Sequence, residues 1–152
     1  MKDLIDKLKN KGLIEKEEIG FDQIISHADR AFKDLKVSEA NLDIDSEAAF
    51  NYAYLAMLRI ARALMFSYSY RPKGNQQHKS SVMFAEAVLG AEFPVLVNKF
   101  DRMRKFRNRF TYEESGILVS RKQTEEALKS AREFVNKVAN IIQNKNPQKS
   151  LI

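Results

Sequence analysis

The sequence predicts an all-α fold, an antiparallel up-and-down bundle of four to five main helices plus a short N-terminal helix. Three observations point there. Only five glycines and three prolines punctuate 152 residues. Apolar residues recur at spacings of three and four through most of the chain, and few segments alternate strictly. The length suits one compact domain with a sizeable core. No internal repeat, low-complexity tract or linker divides it. The expected organisation is an N-terminal helix and connector over 1–20, a bundle over 21–144, and a polar disordered tail over 145–152.

Residues 2–11 form a short amphipathic helix on Leu4, Ile5 and Leu8, and Gly12 breaks it. Residues 13–20 make an acidic connector. Residues 21–36 place Ile24, Ala28, Ala31, Phe32 and Leu35 on one helical face. Residues 37–45 carry Asn, Ser and Asp and are expected to loop, with Ser46 and Asp45 competing to cap the next helix. The longest and most apolar helix covers 48–68. It is apolar nearly all round, as a central helix must be, and its alanines permit close approach. Arg71-Pro72-Lys73-Gly74-Asn75 is the strongest loop signal. A helix over 76–89 ends at Gly90. A basic helix occupies 91–110, with Pro94 tolerated in its first turn. A turn around Gly116 spans 112–118. The last helix, 120–143, carries Ala127, Ala131, Phe134, Val138 and Ile141.

Composition narrows the chemistry. With no cysteine, disulfides and thiolate metal sites are excluded. Two histidines, His27 and His78, leave little for zinc or iron, so no metal and no cofactor is expected. The most apolar stretch, 48–66, is interrupted by Asn51, Arg59 and Arg62, so no membrane span is expected. The N-terminus lacks the apolar core of a signal peptide, which makes the cytoplasm the expected location. A net charge of +6 permits nucleic-acid binding without requiring it.

One residue breaks the pattern. Phe93, Leu96, Phe100, Met103 and Phe110 form the apolar stripe of the basic helix. Arg107 is four residues after Met103 and three before Phe110, on that stripe. At about 100° per residue, Arg102, Lys105 and Arg109 project away from it. An arginine at such a position is either paired, with Glu47, Glu86 or Asp101 as candidates, or faces a cleft. Arg102, Arg104, Lys105 and Arg109 surround it, with Phe106 interleaved. That suits a nucleic-acid groove, a dimer contact or a solvated helix face. Asn51, Arg59 and Arg62 make a second polar stripe, spaced by eight and three. If it faces the basic helix, the two line one positive cleft.

The segment Arg107-Asn108-Arg109-Phe110-Thr111-Tyr112, at the end of a late helix, resembles the motif of the HEPN family, the "higher eukaryotes and prokaryotes nucleotide-binding" domain. That motif is an Arg, often followed by Asn, Asp or His, then a His four to six residues after the Arg. Arg107-Asn108 matches its first half, and Tyr112 stands at the His position. The stretch from Ala48 to Met57, with Ala61-Arg62-Ala63-Leu64, and Gln77-His78-Lys79 at the opening of the next helix are also similar. The resemblance covers roughly residues 21–143. It implies an arginine that contacts phosphate (Arg107), an asparagine that orients it (Asn108), and a homodimer in which two motifs meet. Many family members are metal-independent ribonucleases of toxin or defence type. Others bind RNA, a nucleotide or a partner protein.

Ribonuclease chemistry needs a group that exchanges a proton near neutral pH, which histidine does and tyrosine, with a pKa of about 10, does poorly. Tyr112 therefore shifts the expectation from cleavage to binding. The leading reading is RNA or nucleotide binding in an Arg-lined cleft of a homodimer, with Arg104, Arg109, Arg59 and Arg62 lining it and Arg107, Asn108 and Tyr112 as the candidate catalytic set. The alternatives are a toxin- or defence-type ribonuclease, for which a nucleotidyltransferase-type antitoxin is the expected partner, and a partner-binding regulatory module in which Arg107 is purely structural.

Overall fold

The computed structural model describes residues 1–112 and 119–145, apart from the side chains of residues 110–112. The element order is α1 (Lys2–Asn10), β1 (Ile14–Lys16), α2 (Phe21–Asn41), α3 (Ser46–Ser67), β2 (Tyr70–Pro72), α4 (Gln77–Leu89), α5 (Pro94–Tyr112) and α6 (Arg121–Lys145). The fold is all-α, as the periodicity predicts. The turn expected around Gly116 and the tail after residue 145 lie outside the described residues.

α3 is the axis of the bundle. Its side chains are buried on most of its circumference, from Ala49 and Phe50 through Ala53, Tyr54, Met57 and Ile60 to Leu64 and Met65. Alanines at 49, 53, 56, 61 and 63 are at most 1% exposed, and they let α2 and α6 lie close on either side. α4 and α5 complete the enclosure, and Phe100 of α5 lies between Tyr54 and Phe134, with ring centroids 5.9 and 5.3 Å away. Burying each such ring stabilises the fold by about 1.5–3 kcal/mol before entropy is counted. Ile5, Leu8 and Ile14 join the same core, so α1 and β1 are packed on the bundle rather than hung from it.

The boundaries differ from expectation in instructive places. The connector 13–20 contains a strand. β1 pairs antiparallel with β2, matching Ile14 to Pro72, Glu15 to Arg71 and Lys16 to Tyr70. Three residues are too few for alternation to show, and the partner lies more than fifty residues away. Gly12 has φ +72°, the left-handed conformation in which the chain leaves α1 for this strand.

α2 runs on to Asn41, through residues expected to loop. Their polar groups are used inside the helix bundle. Ser38 Oγ donates to the Ala49 carbonyl at 2.6 Å, buried, and Asn41 Nδ2 donates to the Val37 carbonyl at 2.9 Å. The competition for the α3 cap is won by Asp45, whose side chain accepts from the Ala48 N–H at 3.2 Å. α5 starts at Pro94 rather than at residue 91. The Glu92 and Phe93 N–H groups both fold back on the Leu89 carbonyl, and proline's missing N–H costs nothing in the first turn.

Candidate functional site: an arginine cluster around Tyr54 and His78

Arg107 sits at the expected place, half-buried on the inner side of α5, while Arg102, Lys105 and Arg109 are exposed. Its partner is none of the three carboxylates. Arg107 Nε donates to Asn51 Oδ1 of α3 at 3.1 Å. Glu47 and Glu86 lie at least partly in solvent. Asp101 is engaged elsewhere, accepting from Arg104 Nη2 and pairing with Lys105 Nζ, each at 3.0 Å. A neutral amide can orient a guanidinium but does not cancel its charge.

The Arg107 guanidinium also lies 5.9 Å from the centre of the Tyr54 ring, within the range of a cation–π contact. Tyr54 is fully buried, and its hydroxyl lies 2.8 Å from His78 Nδ1 at the start of α4, with the two rings stacked. Burial pushes the Tyr54 phenol above its usual range, although Arg107, Arg104 and Arg62 pull it down. The same surroundings push His78 to about 4, chiefly by burial and then by the charges of Arg62, Arg107 and Arg104. At neutral pH His78 is an uncharged imidazole beside three guanidinium groups.

The polar stripe of α3 divides. Asn51 meets Arg107, and Arg62 adds its charge to the Tyr54–His78 pair. Arg59 faces α2 instead and donates to Asp34, a carboxylate with no solvent exposure that Arg30 Nε also approaches at 3.3 Å. The structure thus brings Arg62, Arg104 and Arg107 together and commits Arg59 to an ion pair. Arg109 is exposed at the rim. The Asn108 side chain is half-buried and makes no hydrogen bond among the described residues. The Tyr112 side chain lies outside the described residues.

The sequence contains Tyr54 and His78 but assigns neither a role. It shows His78 as a histidine opening a helix after a loop, in the Gln77-His78-Lys79 stretch that shares in the family resemblance. Nothing in the local sequence links it to a tyrosine 24 residues earlier. Among the described residues no three His, Cys, Asp or Glu side chains gather as a metal site would need. No helix there is long and apolar enough to cross a membrane.

A search among curated proteins finds no match for this chain. The sequence model of the HEPN domain matches residues 25–142, which span α2 to α6 and include every residue of the cluster just described. That match covers most of the chain, and the protein belongs to the HEPN domain family.

Proposed function

We propose that this protein binds RNA or a nucleotide at Arg107, in a cleft that a second copy completes. The observation that carries the reading is the pairing of Arg107 with an amide instead of a carboxylate. Its charge remains available, and phosphate oxygens are the acceptors that a fixed guanidinium fork suits best. Arg104 and Arg62 extend the positive field, Arg109 extends it to the rim, and Asn108 orients the strand. Family membership supports the same direction, since HEPN domains commonly dimerise and bind RNA. Its expected setting is the cytoplasm.

One observation favours ribonuclease activity as a second reading. With Tyr112 at the motif's His position, a neutral imidazole is still present beside the arginines in His78, although a pKa of about 4 makes it a weaker base than an ordinary histidine. In that reading His78 takes the proton of a 2′-hydroxyl as its oxygen attacks the adjacent phosphorus. The P–O5′ bond breaks, the leaving 5′-oxygen takes a proton from water, and a 2′,3′-cyclic phosphate remains. A toxin of this kind would pair with a nucleotidyltransferase-type antitoxin.

The test is titration of labelled single-stranded RNA at several salt concentrations, with wild type and Arg107→Ala. Wild-type affinity should fall steeply with salt, through release of counterions. Arg107→Ala should weaken binding about tenfold or more and reduce the salt slope by about one. Binding that is absent, or insensitive to both salt and Arg107, leaves the regulatory module with a structural Arg107. Cyclic-phosphate ends that depend on Arg107 and His78 would establish the ribonuclease. Light scattering reports the dimer, and a strict monomer removes the shared cleft.

A further inference from the structure

A cavity of about 270 Å³ opens between α2, α3 and the start of α4, lined by Gln23, His27, Arg62, Phe66 and Gln77, with Glu17 and Arg71 at one side. Its lining includes a guanidinium with a buried, unpartnered nitrogen. Arg62 Nε is buried and has no hydrogen-bond partner among the described residues. No carboxylate pairs with this guanidinium there. Glu17, the acid in the lining, is held by Arg71 at 3.0 Å. The charge is thus stationed in a polar recess without its counter-ion, at a cost that an arriving anion would offset.

The rest of the lining suits an anion. Gln23 and Gln77 are exposed at the mouth and can donate from their amides. His27 is fixed edge-on to Phe66 at 4.8 Å, with Nδ1 3.2 Å from the Gln23 carbonyl. Burial, Arg62 and Arg59 together hold its pKa below the usual histidine value. An anion on Arg62 would weaken that field and let His27 take up a proton, adding a second charged donor. A water occupies about 30 Å³ in the liquid, so the space admits a phosphate with part of the group that bears it.

We propose that this cavity is a phosphate site that adjoins the Arg107 cleft and shares Arg62 with it, taking inorganic phosphate or the phosphomonoester of a nucleotide on Arg62. The site uses α2 and α3 residues that the motif helix α5 does not supply. Arg62 is the one residue that it shares with the proposed RNA cleft, and its other lining residues play no part there.

Calorimetric titration of the full chain with inorganic phosphate, adenosine 5′-monophosphate and adenosine tests it, with the His27 imidazole signals followed by NMR. Phosphate and the monophosphate should bind saturably and shift His27, and adenosine should not. Tighter binding of the monophosphate assigns the site to nucleotides, and equal binding assigns it to the free ion. Arg62→Gln should weaken both phosphate ligands about tenfold or more, whereas Arg107→Ala should leave His27's response to inorganic phosphate intact. Should Arg62→Gln fail to fold, Gln77→Glu serves instead. It places an acid in the first turn of α4, where the helix tolerates it, and should repel the ligand. The proposal is overturned if wild type shows no saturable phosphate binding, if His27 does not respond, or if the folded variants bind as wild type does. Loss of RNA binding in Arg107→Ala alone bears on the Arg107 cleft and not on this site.

Discussion

Arg59 and Arg107 both interrupt an apolar helix face, and the molecule treats them in opposite ways. Arg59 meets a carboxylate that is wholly out of solvent. The pair ties α3 to α2, with Asp34 out of any ligand's reach, although Arg59 still adds to the field on His27. Arg107 meets an amide at the edge of α3, beside a tyrosine, a neutral histidine and further arginines. On the proposed function, the partner's charge, more than the arginine's burial, separates a fastening from a binding group. Arg62 extends the series, with neither carboxylate nor amide on its Nε among the described residues.

Removing the anchor of the fastening should have the largest effect. Asp34→Ala leaves a half-buried Arg59 without its carboxylate, and a broken buried pair costs about 3–5 kcal/mol at most, less where solvent reaches the arginine. Urea unfolding of wild type, Asp34→Ala and Asp34→Leu/Arg59→Met measures this. The double variant should recover most of the loss, and RNA affinity of whatever remains folded should be unchanged. If Asp34→Ala is neutral in stability but weakens RNA binding, the division between the two arginines is wrong.

The sharper break is to exchange the partners' character. Asn51→Asp gives Arg107 a carboxylate partner of the kind the sequence offers it. Stability should change by less than about 1 kcal/mol, because an ion pair at a half-exposed site gains little. RNA affinity should fall about tenfold, since the new charge competes with phosphate and repels it. Filter binding and thermal melts on the same preparations read both. Unchanged affinity would mean that Arg107's free charge is not what the ligand uses.

How much of this is legible in the sequence depends on the range of each signal. The helices and the central place of α3 are legible, because a 3.6-residue period is a local signal repeated over many turns. So is the odd position of Arg107, which is a defect in that period. The partners of Arg59 and Arg107 are not. Asp34 and Asn51 lie 25 and 56 residues away, and packing alone brings them in. The β1–β2 pair escapes for the same reason. Residues 37–41 read as a loop because Ser38 and Asn41 are turn formers, whose side chains here satisfy carbonyls within and between helices. The Tyr54–His78 contact combines both obstacles, a buried hydroxyl and a partner on another helix.

The smallest effect is also the most diagnostic. An unfolded chain protonates His78 near 6.5, and the folded one holds out to about 4. Between those values the unfolded state binds more protons. His78's contribution to stability is therefore full above about pH 6.5 and is lost as pH falls toward 4. For a half-buried group screened by solvent this amounts to about 1 kcal/mol. Urea midpoints of wild type should fall over that window, and His78→Gln should flatten part of the fall, His27 adding a slope of the same sign. The origin of the shift then separates the two arginines. Burial and the charges of Arg62, Arg107 and Arg104 act on His78, and Arg59 is not among its causes. An NMR titration of His78 should find its pKa raised by Arg107→Ala and unmoved by Arg59→Ala. Equal shifts in the two variants would mean that Arg59's field reaches His78 as well as His27, and that the two arginines do not act on separate faces of α3.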